Sequence, residues 1–213
     1  MSGQVTANGN YVRRATGFAL QTVTVSCWFR LNTISPGTFQ QMWSQDDNAT
    51  FYPGLFTDGV DLQMITDIGS GPVNLLTGIS AGVWYWAAVV GGTVTTSRGY
   101  ARAGLGSIAA VAGPVGGGFS SPRMTVYNDD ANDQQLGGQL VSYKLWTAEL
   151  SLKELMAESL LGLPKRTQDL YTFLPLIGGG TGAGIDQNGN GNDFALTGAI
   201  ASSRLMPPIC WSR

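Results

Sequence analysis

About a dozen short segments of strand character follow one another along this chain, each closed by Gly, Pro, Asn or Asp. Thr22-Val-Thr-Val-Ser-Cys-Trp-Phe-Arg-Leu31 alternates around β-branched and aromatic residues. Its period of two puts Val23, Val25, Cys27 and Phe29 on one face, with Thr22, Thr24, Ser26, Trp28 and Arg30 on the other. Ala81-Gly-Val-Trp-Tyr-Trp-Ala-Ala-Val-Val90 is instead almost continuously apolar and bounded by glycines, the pattern of a strand buried on both faces. Further strands are expected at Phe39 to Ser44, Tyr52 to Phe56, Val60 to Ile65, Thr93 to Ala103, Ile108 to Val115, Arg123 to Tyr127 and Tyr171 to Ile177. The segment from Leu136 to Glu158 reads as a glycine-initiated strand, a short turn and a capped helix.

That helix, expected over 152–161, is the one convincing helix. Ser151 serves as N-cap and Glu154 completes a capping box. Leu152, Leu155, Met156 and Leu160 form its apolar stripe, Glu158 is expected to share the exposed face of Glu154, and Gly162 and Pro164 end it. Many short strands with one surface helix predict an all-β, two-sheet antiparallel sandwich in a single domain over 1–213.

Composition narrows the function. The apolar fraction of 43% is ample for a two-sheet core, whereas the charged fraction of 12% is about half the usual share. The surface must then be covered by Ser, Thr, Gln, Asn and Gly, which suits a polar ligand or burial against other subunits. The net charge of -2 and the lack of basic runs leave no electrostatic footprint for nucleic acid. Histidine is absent, which removes the usual Ser and Cys triads and His-bearing zinc sites, so any catalysis would fall to carboxylates. Cys27 and Cys210 have no short spacing; Cys27 reads as a buried thiol, and a bridge to Cys210 would require maturation outside a reducing cytosol. No run of eighteen apolar residues suggests a membrane span, and the opening Met-Ser-Gly-Gln-Val-Thr has no charged-then-apolar signal pattern. The expectation is synthesis in a cytosol.

Three segments, in order, resemble the laminin-G-like, concanavalin-A-like jelly roll. Thr22 to Arg30 resembles its first core strand, Ala81 to Val90 its central Gly-x-Trp-Tyr-x-x-Ala-Val-Val strand, and Leu136 to Glu158 its closing strand and helix. The resemblance implies a jelly-roll core over 1–162, completed or extended by 163–213. One departure is that the family's Ile-Asp-Glu is here Leu140-Val141-Ser142, which loses an acidic position. The tail, with Tyr171-Thr-Phe-Leu-Pro-Leu176 and then Asp186-Gln-Asn-Gly-Asn-Gly-Asn-Asp193, is similar to a segment that often opens such domains. Its placement after the helix resembles jelly rolls of phage virion proteins.

Candidate sites follow from residue chemistry. Retaining glycosidases need two carboxylates about 5 Å apart. The three glutamates, Glu149, Glu154 and Glu158, all lie on or just before the helix, so no catalytic residue is assigned. Asp186-Gln-Asn-Gly-Asn-Gly opens like a calcium loop, but its twelfth position is Thr197 where a bidentate Glu is needed, so turn chemistry explains it better. The better calcium candidates are Asp46 and Asp47 in one loop and Asp129, Asp130 and Asp133 in another, were the two to meet at one rim. Calcium at a rim is also what the laminin-G resemblance implies. Trp43, Tyr52, Tyr127 and Asn128 flank these loops, where aromatic faces and an amide suit a sugar. Trp28, Trp84 and Trp146 are assigned to packing, and the glycine-rich Gly178 to Gly184 to a connection.

The expected function is a non-enzymatic phage virion protein, capsid-decorating or tail-associated. It is expected to be a homo-oligomer that meets other virion proteins and host glycans, but neither nucleic acid nor membrane. The alternatives are a stand-alone, calcium-assisted lectin-like module and a glycoside hydrolase.

Overall fold

The computed structural model describes residues 2–5, 11–14, 18–20, 22–46, 51–65, 71–92, 96–115, 119–121, 123–126, 136–176, 185–197, 200–203 and 206–210. Two antiparallel sheets form a jelly-roll sandwich. The first has eight strands around β9 (Trp84–Gly92), β4 (Thr22–Leu31) and β14 (Gly138–Trp146). β10 (Thr96–Ala103) and β11 (Ala109–Val115) extend it beyond β9. β1 (Ser2–Val5) and β17 (Ile200–Ser203) extend it beyond β14, and β15 (Leu170–Leu174) also pairs with β14. The second sheet runs β16 (Ala195–Thr197), β2 (Tyr11–Arg14), β13 (Arg123–Val126), β5 (Gln40–Asp46), β6 (Phe51–Thr57), β7 (Leu62–Ile65) and β8 (Val73–Leu76). β3 (Phe18–Leu20) and β12 (Phe119–Ser121) form a separate pair. The tail adds strands to both sheets: β15 and β17 to the first, β16 to the second.

The alternation in β4 sorts into two separate clusters. Val23, Val25, Cys27 and Phe29 join Tyr85, Ala87 and Val89 of β9 in the inner core, together with Met42, Leu55, Leu62 and Met64 of the second sheet. Trp28 joins Trp86, Ala88 and Val90 on the outer face, under Leu150, Leu155, Leu170 and Phe173. The first sheet is thus covered on both sides, as the continuous apolar run in β9 requires. Each fully buried large side chain contributes about 1.5–3 kcal/mol.

A bulge in β14 decides what faces outward. Val141 is opposite Trp28 and Lys144 opposite Ser26, so two residues of β14 oppose Cys27 alone. Ser142 takes φ 54°, its amide donates to Pro175 O at 3.0 Å and its hydroxyl to Gly162 O at 2.7 Å. The extra residue shifts the parity of the strand. Leu140, Tyr143 and Leu145 point into the inner core, while Val141 and Trp146 belong to the outer cluster. Lys144 shares the outward parity. The same kink marks where β14 exchanges β1, paired at Leu140, for β15, paired at Tyr143.

The helix α1 (Leu152–Glu158) has the predicted capping box. The Glu154 amide donates to Ser151 Oγ, and the Ser151 amide donates to Glu154 Oε2 at 2.8 Å. It ends sooner than expected, with Ser159 as C-cap. The expected apolar stripe is corrected as well. Only Leu155 of the four is buried; Leu152, Met156 and Leu160 are 46%, 53% and 47% exposed. Glu158, expected on the outside, is 1% exposed. An ion pair supplies the physical reason. Lys144 Nζ reaches Glu158 Oε2 at 2.8 Å, with both side chains 1% exposed. Lys144 also donates to the carbonyls of Glu158, Leu161 and Leu163 at 3.3, 2.9 and 3.2 Å. Glu158 Oε1 accepts the amides of Lys165 and Arg166 at 2.8 and 2.7 Å. Buried charges persist when paired and fully hydrogen-bonded, and this pair rotates the helix so that an acid faces the sheet. Burial lowers the pKa of Lys144 and the Glu158 carboxylate opposes that shift.

No disulfide joins the cysteines: Cys27 lies in the inner core and Cys210 on the surface. Burial pushes the Cys27 thiol pKa far up. No helix among the described residues is long and apolar enough to cross a membrane.

Candidate functional site

The structure describes only some of the residues proposed for the rim. Trp43 is completely buried in the inner core, so the expectation that its ring offers a sugar-stacking face is corrected. Its position shortly before the polar loop had placed it at the rim, but the ring turns into the sandwich. Asp46 is the last residue of β5 and Tyr52 lies in β6. Asp47, Tyr127, Asn128, Asp129, Asp130 and Asp133 lie outside the described residues, as does the glycine-rich connection.

Strand register bears on whether the two acidic loops share a rim. In the β5–β13 pair, Asp46 is opposite Arg123 and Trp43 is opposite Val126. The chain therefore leaves β5 for 47–50 at the end where β13 begins. It leaves β13 for 127–135 in the opposite direction. It is next described at Leu136, and the Gly137 amide donates to Gln40 Oε1 at 2.9 Å, at the start of β5. The two loops themselves lie outside the described residues, so the pairing fixes only where the chain leaves each strand. Among the described residues there is no cluster of three or more His, Cys, Asp or Glu that would hold a metal.

The described carboxylates are tied into the fold. Glu149 pairs with Arg98 at 2.8 Å, and Arg166 engages Glu154 and Asp169. Hydrogen bonds from Ser151, then the Arg166 guanidinium, hold the Glu154 carboxyl below its ordinary range. Asp58 Oδ1 accepts the amides of Val60 and Asp61. Asp61 accepts from Asn74 and from the Gly78 amide, stapling the β7–β8 hairpin.

The most organised polar feature is the loop Asp186 to Asp193. Asp186 is buried, and its Oδ1 accepts the amides of Phe173 and Asn188 at 2.9 and 3.2 Å. Its Oδ2 accepts the Asn192 amide at 3.2 Å, and its own amide donates to Asp193 Oδ1 at 2.8 Å. Asn188 Nδ2 and Asn190 Nδ2 both donate to Leu170 O, at 3.1 and 2.8 Å, and Asn192 Nδ2 donates to Tyr171 O. Arg14 donates to Asn192 Oδ1 at 2.7 Å and lies over the Tyr171 ring. Gly189 and Gly191 take φ 81° and 69°, the left-handed turns that glycine permits at little cost. Turn chemistry accounts for this segment, as its sequence predicted.

Sequence reasoning missed what the loop borders. A cleft of about 410 Å³ lies between it and the segment that follows the helix. Leu163, Pro164, Leu170, Phe173 and Pro175 form its apolar part. Thr167, Gln187, Asn188 and Asn190 form its polar part, and no lining residue is charged. Size and mixed lining match sites for small organic ligands. The available signal was an amide-rich loop beside a proline-bounded strand, but its convergence on Thr167 depends on tertiary structure.

No family model matches the chain, and no curated protein matches it. Solved structures do match. The chain is similar to a candidate carbohydrate binding protein from Bacteroides ovatus ATCC 8483, with a TM-score of 0.68 and 12% identity, over 99% of this chain and 61% of that one. It is similar to the full-length tailspike protein 2 from Escherichia coli O157:H7 bacteriophage CAB120, with a TM-score of 0.55 and 14% identity, over 77% of this chain and 25% of that one. It is also similar to the heptameric SAP-like pentraxin of Limulus polyphemus, with a TM-score of 0.51 and 14% identity, over 75% of this chain and 79% of that one. The chain thus spans less than two thirds of the length of the first two structures. At these identities what is shared is the fold: a two-sheet antiparallel jelly-roll sandwich.

Proposed function

We propose that this chain is a non-enzymatic, carbohydrate-binding component of a phage virion, capsid-decorating or tail-associated. The observation that carries the binding half is the state of the acids. Every carboxylate whose side chain is described accepts a hydrogen bond or joins an ion pair within the fold. Glycoside cleavage requires two such groups free to face a substrate, so among the described residues the acids favour binding over hydrolysis. The fold likeness to a candidate carbohydrate binding protein supports the same reading, and the likeness to part of a tailspike supports the virion half. A surface poor in charge suits both a neutral polar ligand and packing against further copies or other virion proteins.

The test is a broad glycan array probed with the purified chain, with and without a chelator, alongside a search for the chain in purified particles. Specific retention without release of new reducing ends is expected, together with presence in particles. A folded sample that retains no glycan removes the binding half. Absence from particles removes the virion half and leaves a stand-alone lectin-like module.

A further inference from the structure

We infer that the cleft beside the Asp186–Asp193 loop is a cation-independent site for a neutral sugar, an inference that rests on the carbohydrate-binding reading above. Charge selects the ligand class. The lining carries no charged side chain, so a carboxylate or phosphate on the ligand would be desolvated without a counter-charge. A neutral ligand avoids that cost. It must offer both hydroxyls and an apolar face, because the cleft offers both surfaces.

The polar groups are available. The Thr167 hydroxyl, the Gln187 carboxamide and Asn190 Oδ1 make no hydrogen bond within the fold among the described residues. Between them they can donate to and accept from hydroxyl groups, and an amide does both from one plane. Leu163, Pro164 and Pro175 offer aliphatic C–H surface opposite, suited to the C–H face of a pyranose ring.

The site is also held in shape before any ligand arrives. Asn188 and Asn190 are anchored on Leu170 O, and the Asn190 amide donates to Asn188 Oδ1 at 2.9 Å. Pre-ordering of this kind lowers the entropy cost of binding. A bound cation commonly orders loops of Asp, Asn and Gly. In this loop backbone amides occupy both Asp186 oxygens, so the ordering needs no metal.

The test uses the whole chain on an array holding neutral, uronate and sialylated oligosaccharides, in chelator throughout. The best neutral ligand is then titrated against Gln187→Ala, Thr167→Val and Thr167→Trp, with folding checked by circular dichroism. Each single hydrogen-bond deletion should weaken binding about three- to tenfold, and the bulky Trp should weaken it more than either. Neutral binding that none of the three variants alters would overturn the site while leaving the carbohydrate reading in place. Binding that appears only when calcium is restored, or only to acidic sugars, would overturn the ligand class. No retention of any glycan by the folded chain, with or without calcium, would remove both the site and the reading beneath it.

Discussion

Replacing Lys144 by Met tests the central structural claim, that a buried ion pair sets the orientation of α1. Lys144 and Glu158 are each 1% exposed and their charged atoms are 2.8 Å apart. Met matches the Lys stem in volume, so little packing is lost. What is lost is the counter-charge of Glu158 and the donor that serves Leu161 O and Leu163 O. Breaking a buried pair by removing one partner costs about 3–5 kcal/mol. For a chain of 213 residues each kcal/mol lowers Tm by about 2–4 °C, giving a fall of roughly 6–20 °C. Glu158→Met alone should cost a similar amount, because it strands Lys144 and the amides of Lys165 and Arg166. The double variant should lose far less than the sum, since no bare charge remains buried. Urea titrations of the four proteins, followed by circular dichroism, measure all four free energies. The losses should be nearly independent of salt, because a buried pair is poorly screened. A Lys144→Met loss under about 1 kcal/mol, or additive singles, would refute the reasoning.

Other outcomes follow from the same geometry. Leu155→Ala should cost about 2–5 kcal/mol, whereas Met156→Lys, at an exposed position, should stay within about 0.5 kcal/mol; thermal melts of both check which face packs. One thiol, Cys210, should react with an aromatic disulfide reagent in the native protein, and a second, Cys27, only on unfolding. Glu154 has a lowered folded pKa, so its contribution is present above the unfolded carboxylate value and lost as pH falls through the folded one. The Tm gap between wild type and Glu154→Gln should therefore narrow on acidification; a gap that is constant or widens would contradict the capping box.

Local chemistry decided a large part of this protein in advance. Period-two alternation in Thr22–Leu31 and the continuous apolar run around Trp84–Val90 specify strands and sort each one's side chains onto two faces, because side chains in a strand alternate whatever surrounds them; that both faces of Thr22–Leu31 are covered came only with the fold. Ser151 and Glu154 specify a helix start, and Asp, Asn and Gly over 186–193 specify a turn, because those contacts span only a few residues. Other features depended on residues far apart. A single bulged residue at Ser142 reversed the parity of β14, and no pattern within the strand announces it. That reversal aimed Lys144 outward, where it paired with Glu158 and turned the helix away from its apparent apolar stripe. Trp43 looked like a rim aromatic, but its ring, carried by the second sheet, is enclosed in the core between the two sheets. The antiparallel register of β5 and β13 set where the two acidic loops depart. The cleft exists because residues 163–175 meet 187–190 across the outer layer. Sequence settles interactions within a turn or a strand. The partner across a sheet, the direction of a loop and the walls of a cleft arise only when the chain is folded on itself.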